Sequence, residues 1–338
     1  MFKRIIVPLD GSQGAERAIP VAARIARVSG GSIVFLNVVL PPVEFGTYRE
    51  DHTVALKPTA FEKRLEGAAD YLTDIVKAHA SDLEGIDVTV KAVSGAASPT
   101  IFSVANLEHV DLVVLCSHGE SGLRRWMFGS VAHEAVRHSP VPVLVLSEKG
   151  AIPTPIEPRP WRILVALDGS QLGETAIEPA AQLVSVLGAP AQGAMHLLSV
   201  IDIPAATGKY RGPTEFDTTV RKEAREEAEA YLNDITDRLQ ESLANYNLTL
   251  TSSAVIGTDV VKTILQQAEH AGGAEEMGGC DLIAVSTHGR TGLLRLIMGS
   301  VTEKILNSTK LPLLVVRHHN VEAQDQQETG EKEKPVLN

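Results

Sequence analysis

Cys116-Ser117-His118-Gly119-Glu120-Ser121-Gly122-Leu123-Arg124-Arg125-Trp126-Met127-Phe128-Gly129-Ser130-Val131 is the stretch that decides the fold, because it occurs twice. The second copy is Ser286-Thr287-His288-Gly289-Arg290-Thr291-Gly292-Leu293-Leu294-Arg295-Leu296-Ile297-Met298-Gly299-Ser300-Val301. Each follows a short apolar run, residues 112–115 or 282–285, that reads as a buried parallel strand. Each ends in Gly-Ser where helical periodicity begins, and in both copies nine residues separate the two framing glycines. A strand, a glycine-bearing loop and a helix start together make a cradle for an anion. Free amides of the loop and first helical turn point at one phosphate, and the helix dipole favours its charge. Nucleotide binding is therefore the leading expectation.

Outward from these loops, the duplication covers the whole fold. Arg4-Ile5-Ile6-Val7-Pro8-Leu9-Asp10-Gly11-Ser12 returns as Arg162-Ile163-Leu164-Val165-Ala166-Leu167-Asp168-Gly169-Ser170. Two long matches in the same order establish two copies of one domain, too long in period for a solenoid. In the first copy the pattern predicts a helix over 16–28 containing Pro20, a strand over 32–39, and a long exposed loop over 41–58. A helix over 60–80 buries Leu65, Ala69, Leu72 and Val76. A strand over 88–93, a helix with Pro99 in its first turn, the strand at Leu112, a helix over 131–138 and a strand over 143–146 complete it. The second copy repeats the plan, with a longer charged helix over 218–245 that shows no simple pairing rule. It also has a glycine-rich surface insert over 271–279. The fold class expected is α/β: two doubly wound domains, each a five-stranded parallel sheet with helices on both faces. Their bounds are 1–147 and 161–317, with a proline-rich linker over 148–160 and a disordered tail over 318–338.

Composition narrows the function classes. The 338 residues carry a formal net charge of -11, which argues against binding nucleic acid or an acidic membrane. No apolar run reaches bilayer length, and with Met1-Phe2-Lys3-Arg4 running straight into the first strand no signal peptide is expected. Cys116 and Cys280 suggest no disulfide framework. A cytoplasmic protein is expected.

The loop and turn residues resemble those of the universal stress protein family in its tandem two-domain form. Its nucleotide signature, Gly-x2-Gly-x9-Gly followed by Ser or Thr, is matched by Gly119, Gly129 and Ser130, and by Gly289, Gly299 and Ser300. The first glycine is replaced by Cys116 in one copy and Ser286 in the other. The resemblance implies strand order 3-2-1-4-5 and a stress-response sensor or regulator that binds ATP, ADP or AMP without covalent chemistry. It implies that Asp10 and Asp168 contact the adenine or ribose. Pro8 or Ala166 would lie against the base, and Val38 or Val200 would close its pocket. Cys116, His118, Val131, Ser286, His288 and Val301 complete the expected site, at the carboxyl ends of adjacent parallel strands. The resemblance further implies pairing of the two fifth strands into an intrachain pseudo-dimer, with a further homodimer open.

Plainer roles stand beside these. Ser130 and Ser300 read equally as N-caps, and Asp10 and Asp168 as turn residues before glycine. His118 and His288 lack an orienting partner at a recurring spacing and read as structural, so no catalytic residue is assigned. Cys116 reads as a small buried residue rather than a redox switch. No zinc spacing is seen; magnesium is expected only as an ion carried in with the phosphates. Two rival functions remain: an interaction module that keeps the fold without nucleotide, and a slow ATPase.

Overall fold

The computed structural model describes residues 2–41, 58–117, 129–147, 160–202, 215–270, 279–287 and 298–317. The linker, the tail and the interiors of both glycine loops lie outside these residues.

In the first half, β1 (Arg4–Pro8), α1 (Gln13–Glu16), α2 (Ala18–Ser29), β2 (Ser32–Val39) and α3 (Pro58–Ala78) come first. Then follow β3 (Asp87–Ser94), α4 (Ala97–Leu107), β4 (Leu112–Cys116), α5 (Ser130–His138) and β5 (Val143–Leu146). The second half repeats the order: β6 (Arg162–Leu167), α6 (Gln171–Glu174), α7 (Ile177–Gly188), β7 (Gly193–Asp202) and α8 (Glu215–Ser242). It closes with β8 (Leu248–Gly257), α9 (Val260–His270), β9 (Leu282–Ser286), α10 (Ser300–Ser308) and β10 (Leu313–Val316).

The helix expected over 16–28 is broken at Arg17 into α1 and α2. Pro20 and its counterpart Pro179 then fall in the first turn of α2 and α7, where a missing amide costs no helical bond. Ser12 and Ser170 cap α1 and α6, accepting from the amides of Ala15 and Gly173. Each cap contributes about 1 kcal/mol. The charged helix α8 does follow a pairing rule, against expectation. Lys222–Glu226, Arg225–Glu229 and Asp234–Arg238 are all i,i+4 ion pairs, which help a polar helix hold its shape.

Within each half the strand order is the one expected, and the fifth strands lie side by side, so that the two five-stranded sheets form one. The order is β3-β2-β1-β4-β5-β10-β9-β6-β7-β8. Neighbours within each half are parallel, whereas β5 and β10 run antiparallel, with Leu144 opposite Leu314. All eight residues of β5 and β10 are buried. Short, wholly apolar strands that would be exposed edges in a lone domain thus become the centre of the sheet.

Side chains alternate between two faces, as on β4, where Leu112 and Val114 face one core and Val113 and Leu115 the other. The first core, under α2, α3, α7 and α8, draws residues from both halves. The second lies under α4, α5, α9 and α10. Across the seam the Arg24 guanidinium donates to the Leu187 carbonyl and lies 5.0 Å from the Trp161 ring centroid, tying α2 to the start of the second half.

Candidate functional site

The site lies where the chain leaves adjacent strands toward opposite faces. After β6 it passes to α6 and α7 on one face, and after β9 to α10 on the other. β6 and β9 are parallel neighbours, so this is the switch point at which doubly wound sheets open a crevice. A cleft of about 710 Å³ opens there. That volume is within the roughly 300–1,000 Å³ typical of small-molecule sites.

Seven residues singled out in the second half line this one cleft: Ala166, Asp168, Val200, Ser286, Gly299, Ser300 and Val301. They come from β6 and the turn after it, β7, β9, and the cap and first turn of α10, up to 135 residues apart in the chain (166 to 301). His288 and Gly289, like His118 and Gly119, fall outside the described residues.

Asp168 sits just beyond β6. Its Oδ1 accepts from the Ser170 amide at 3.1 Å and hydroxyl at 2.6 Å. Asp10 does the same with Ser12, at 3.0 and 2.6 Å. Gly11 and Gly169 follow with φ of 89° and 83°, a backbone that glycine adopts without strain. The turn role of both aspartates is therefore present, and it leaves Asp168 on the cleft wall. Gly173 permits this placement, because a Cβ there would lie 2.6 Å from Asp168 Oδ1.

Gly299 and Gly129 are themselves the N-caps, which corrects the capping role open to Ser130 and Ser300. These serines are the first helical residues instead. The amide of Gly299 donates to the Thr287 carbonyl at 2.8 Å and that of Gly129 to the Ser117 carbonyl at 2.7 Å. Gly299 has φ -59°, so its glycine identity is not a conformational demand. A Cβ there would stand 3.3 Å from the Thr287 carbonyl oxygen, a tight contact that a shift of a few tenths of an ångström relieves. Past this cap, amides of the first turn lack helical acceptors and adjoin the cleft.

The replaced signature glycines cause no backbone defect. His109 is the one described non-glycine residue with positive φ, so Cys116 and Ser286 are ordinary extended residues ending β4 and β9. Cys116 packs against the core of the α2 face, and burial pushes its thiol up to about 12, with Asp10 raising and Arg17 lowering it. A thiol held there stays protonated, which supports the plain reading over a redox switch.

Several residues of the cleft were not singled out in the sequence. Thr302 is buried and donates from Oγ1 to the Ser286 carbonyl at 2.8 Å, bracing the helix start against the strand end. Thr287, Asp202 and Ile264 also line the cleft, as do Ala224, Glu227 and Tyr231 of α8. Burial raises Tyr231 above the usual range, with the Glu174 carboxylate adding to it. The signals were present in part. Asp202 lies two residues past Val200, and Ala224, Glu227 and Tyr231 share one helical face.

Residues 1–147 and 161–317 each match the universal stress protein family. The chain belongs to that family. Among curated relatives, universal stress proteins Rv2005c and Rv1996 of Mycobacterium tuberculosis are each 25% identical. Each alignment covers 93% of this chain, and 96% and 94% of the relative respectively. A universal stress protein from Archaeoglobus fulgidus has the same fold, with a TM-score of 0.61 at 18% identity, covering 94% of this chain and 98% of that one. One from Pseudomonas aeruginosa gives 0.59 at 17% identity, covering 98% of both. Among the described residues no helix is long and apolar enough to cross a membrane, and no acidic, His or Cys cluster could hold a metal.

Proposed function

We propose that this universal stress protein binds an adenine nucleotide, ATP, ADP or AMP, in a cleft of each half, as a cytoplasmic stress-response sensor or regulator. The observation that carries this is the convergence of Ala166, Asp168, Val200, Ser286, Gly299, Ser300 and Val301 on one cleft at the switch point. The strand ends offer apolar walls for a base, Asp168 a carboxylate acceptor for ribose hydroxyls or an exocyclic amine, and the α10 start amides for a phosphate. A magnesium ion would enter with the phosphates and neutralise them. The chain's own groups bind and orient; none is placed as nucleophile or base. The β5–β10 pairing supports an intrachain pseudo-dimer as the working unit.

Calorimetric titration of the full chain with ATP, beside Gly129→Val and Gly299→Val, tests this. Each substitution fills the phosphate space of its own half and is expected to weaken binding there by tenfold or more, about 1.4 kcal/mol. Thermal melts check that the variants remain folded. Unchanged ATP affinity in the folded double variant would end the phosphate-cradle reading.

A further inference from the structure

Three hydrogen bonds hold the end of β9, and one of them comes from a side chain. The Thr287 amide donates to the Val316 carbonyl of β10 at 2.9 Å. The Gly299 amide, at the cap of α10, donates to the Thr287 carbonyl at 2.8 Å. The third bond runs from Thr302 Oγ1 to the Ser286 carbonyl at 2.8 Å. The peptide between Ser286 and Thr287 is thus held at both of its polar groups, the carbonyl by α10 and the amide by β10. That peptide is where β9 ends and the glycine loop begins.

Thr302 is the third residue of α10. Its amide and those of Ser300 and Val301 have no acceptor within the helix, so anchoring this turn fixes where free donors point. Ser286, Thr287 and Thr302 all line the cleft, and all are buried. A hydroxyl bond made out of reach of water is not simply exchanged for one to solvent.

The first half makes two of these bonds without the third. The Ser117 amide donates to the Leu146 carbonyl at 2.9 Å, and Gly129 to the Ser117 carbonyl at 2.7 Å. At the place of Thr302 stands Ala132, also buried, which has no hydroxyl to give. The same strand-loop-helix frame therefore forms in that half with no such hydroxyl, which sets the Thr302 bond apart from what the fold demands.

We propose that Thr302 is the positioning residue of the phosphate cradle in the second half. This rests on the adenine-nucleotide reading above. The hydroxyl holds the α10 start at a fixed distance from the strand end, so the loop start and the first-turn amides are set before a ligand arrives. A phosphate entering the cleft then has less of the chain to order. A nucleoside without phosphate uses the strand-end walls and gains nothing from the tie.

The test is titration of the full chain with ATP and with adenosine, in Thr302→Val and Thr302→Ser, beside hydrogen exchange of the ligand-free chain. Valine keeps the shape and removes the hydroxyl; serine keeps the hydroxyl. Thr302→Val is expected to weaken ATP at one site per chain about fivefold, the worth of about one hydrogen bond, and to leave adenosine unchanged. Thr302→Ser should restore the ATP affinity. Without ligand, the Gly299 amide should exchange faster in Thr302→Val than in the parent chain or in Thr302→Ser. Thermal melts verify that both variants are folded. An ATP affinity unmoved by Thr302→Val, or equal losses for ATP and adenosine, would overturn the positioning role while leaving nucleotide binding intact. Weaker ATP binding with unchanged Gly299 exchange would overturn it too, making the hydroxyl a direct phosphate contact. Absence of binding by both ATP and adenosine in the parent chain would remove the nucleotide reading and this inference together.

Discussion

The two halves agree where the backbone is under constraint and part where it is not. In the turns after β1 and β6 the aspartate, serine and capping distances agree to within 0.1 Å. The positive-φ glycine and the helix cap there are demands of the fold, so both copies meet them alike. Beyond the turns, Cys116 stands against Ser286, Ala132 against Thr302, Val34 against His196, and Arg64 against Ala224. Of these, Ser286, Thr302 and Ala224 line the second-half cleft, and His196 faces the hydroxyls of β8. Duplication kept the frame and released the lining.

The strongest way to break the comparison is at the seam both halves share. Leu144 is fully buried between β4 and β10. Leu144→Asp places an unpaired charge there and should cost about 4 kcal/mol or more. Because one core runs through both halves, urea melts should show them failing together; loss of the first half alone would make them independent units.

Thr302→Val sharpens the contrast at the helix start. It keeps the shape but removes the donor to the Ser286 carbonyl, at a cost of about 1–2 kcal/mol in stability. The first half has Ala132 at that place, so the same loss has no counterpart there. A melt unchanged by Thr302→Val would mean the brace contributes nothing.

His196 separates the outer strands by pH. Its Nδ1 and Nε2 lie 2.9 Å from the hydroxyls of Thr251 and Ser253 on β8, and burial holds it below its ordinary value of 6.5. A base depressed in the folded state is protonated more readily when unfolded, so the stability it carries is intact above pH 6.5. That stability declines as pH falls toward the folded value. Hydrogen exchange should show β7 and β8 loosening on acidification before β2 and β3, where Val34 stands. His196→Val should abolish the difference.

The smallest effect reads the register alone. Val145 faces Leu313, and Val143 faces Val315. Val145→Cys should therefore crosslink within one chain to Leu313→Cys in preference to Val315→Cys. The reverse preference would mean that the seam is displaced by two residues.

The sequence alone determined the duplication, the α/β class and the two glycine loops at strand-to-helix junctions, because each rests on local patterns; the strand order within each half and the roles of Ala166, Asp168 and Val200 came from the family resemblance. Apolar runs of strand length, Asp-Gly turns and glycine spacing are written in neighbouring residues. That the two sheets are one followed only from the resemblance, since by their residues alone β5 and β10 read the same whether their open edges meet each other or a different chain. The residues alone did not tell whether Ser300 caps its helix or begins it, a one-residue difference in where helical geometry starts. The bracing of Thr302 against Ser286 and the meeting of Asp202 with Glu227 around one cleft were likewise tertiary matters. Such contacts join residues far apart in the chain, and their distances are set by how the helices settle on the sheet.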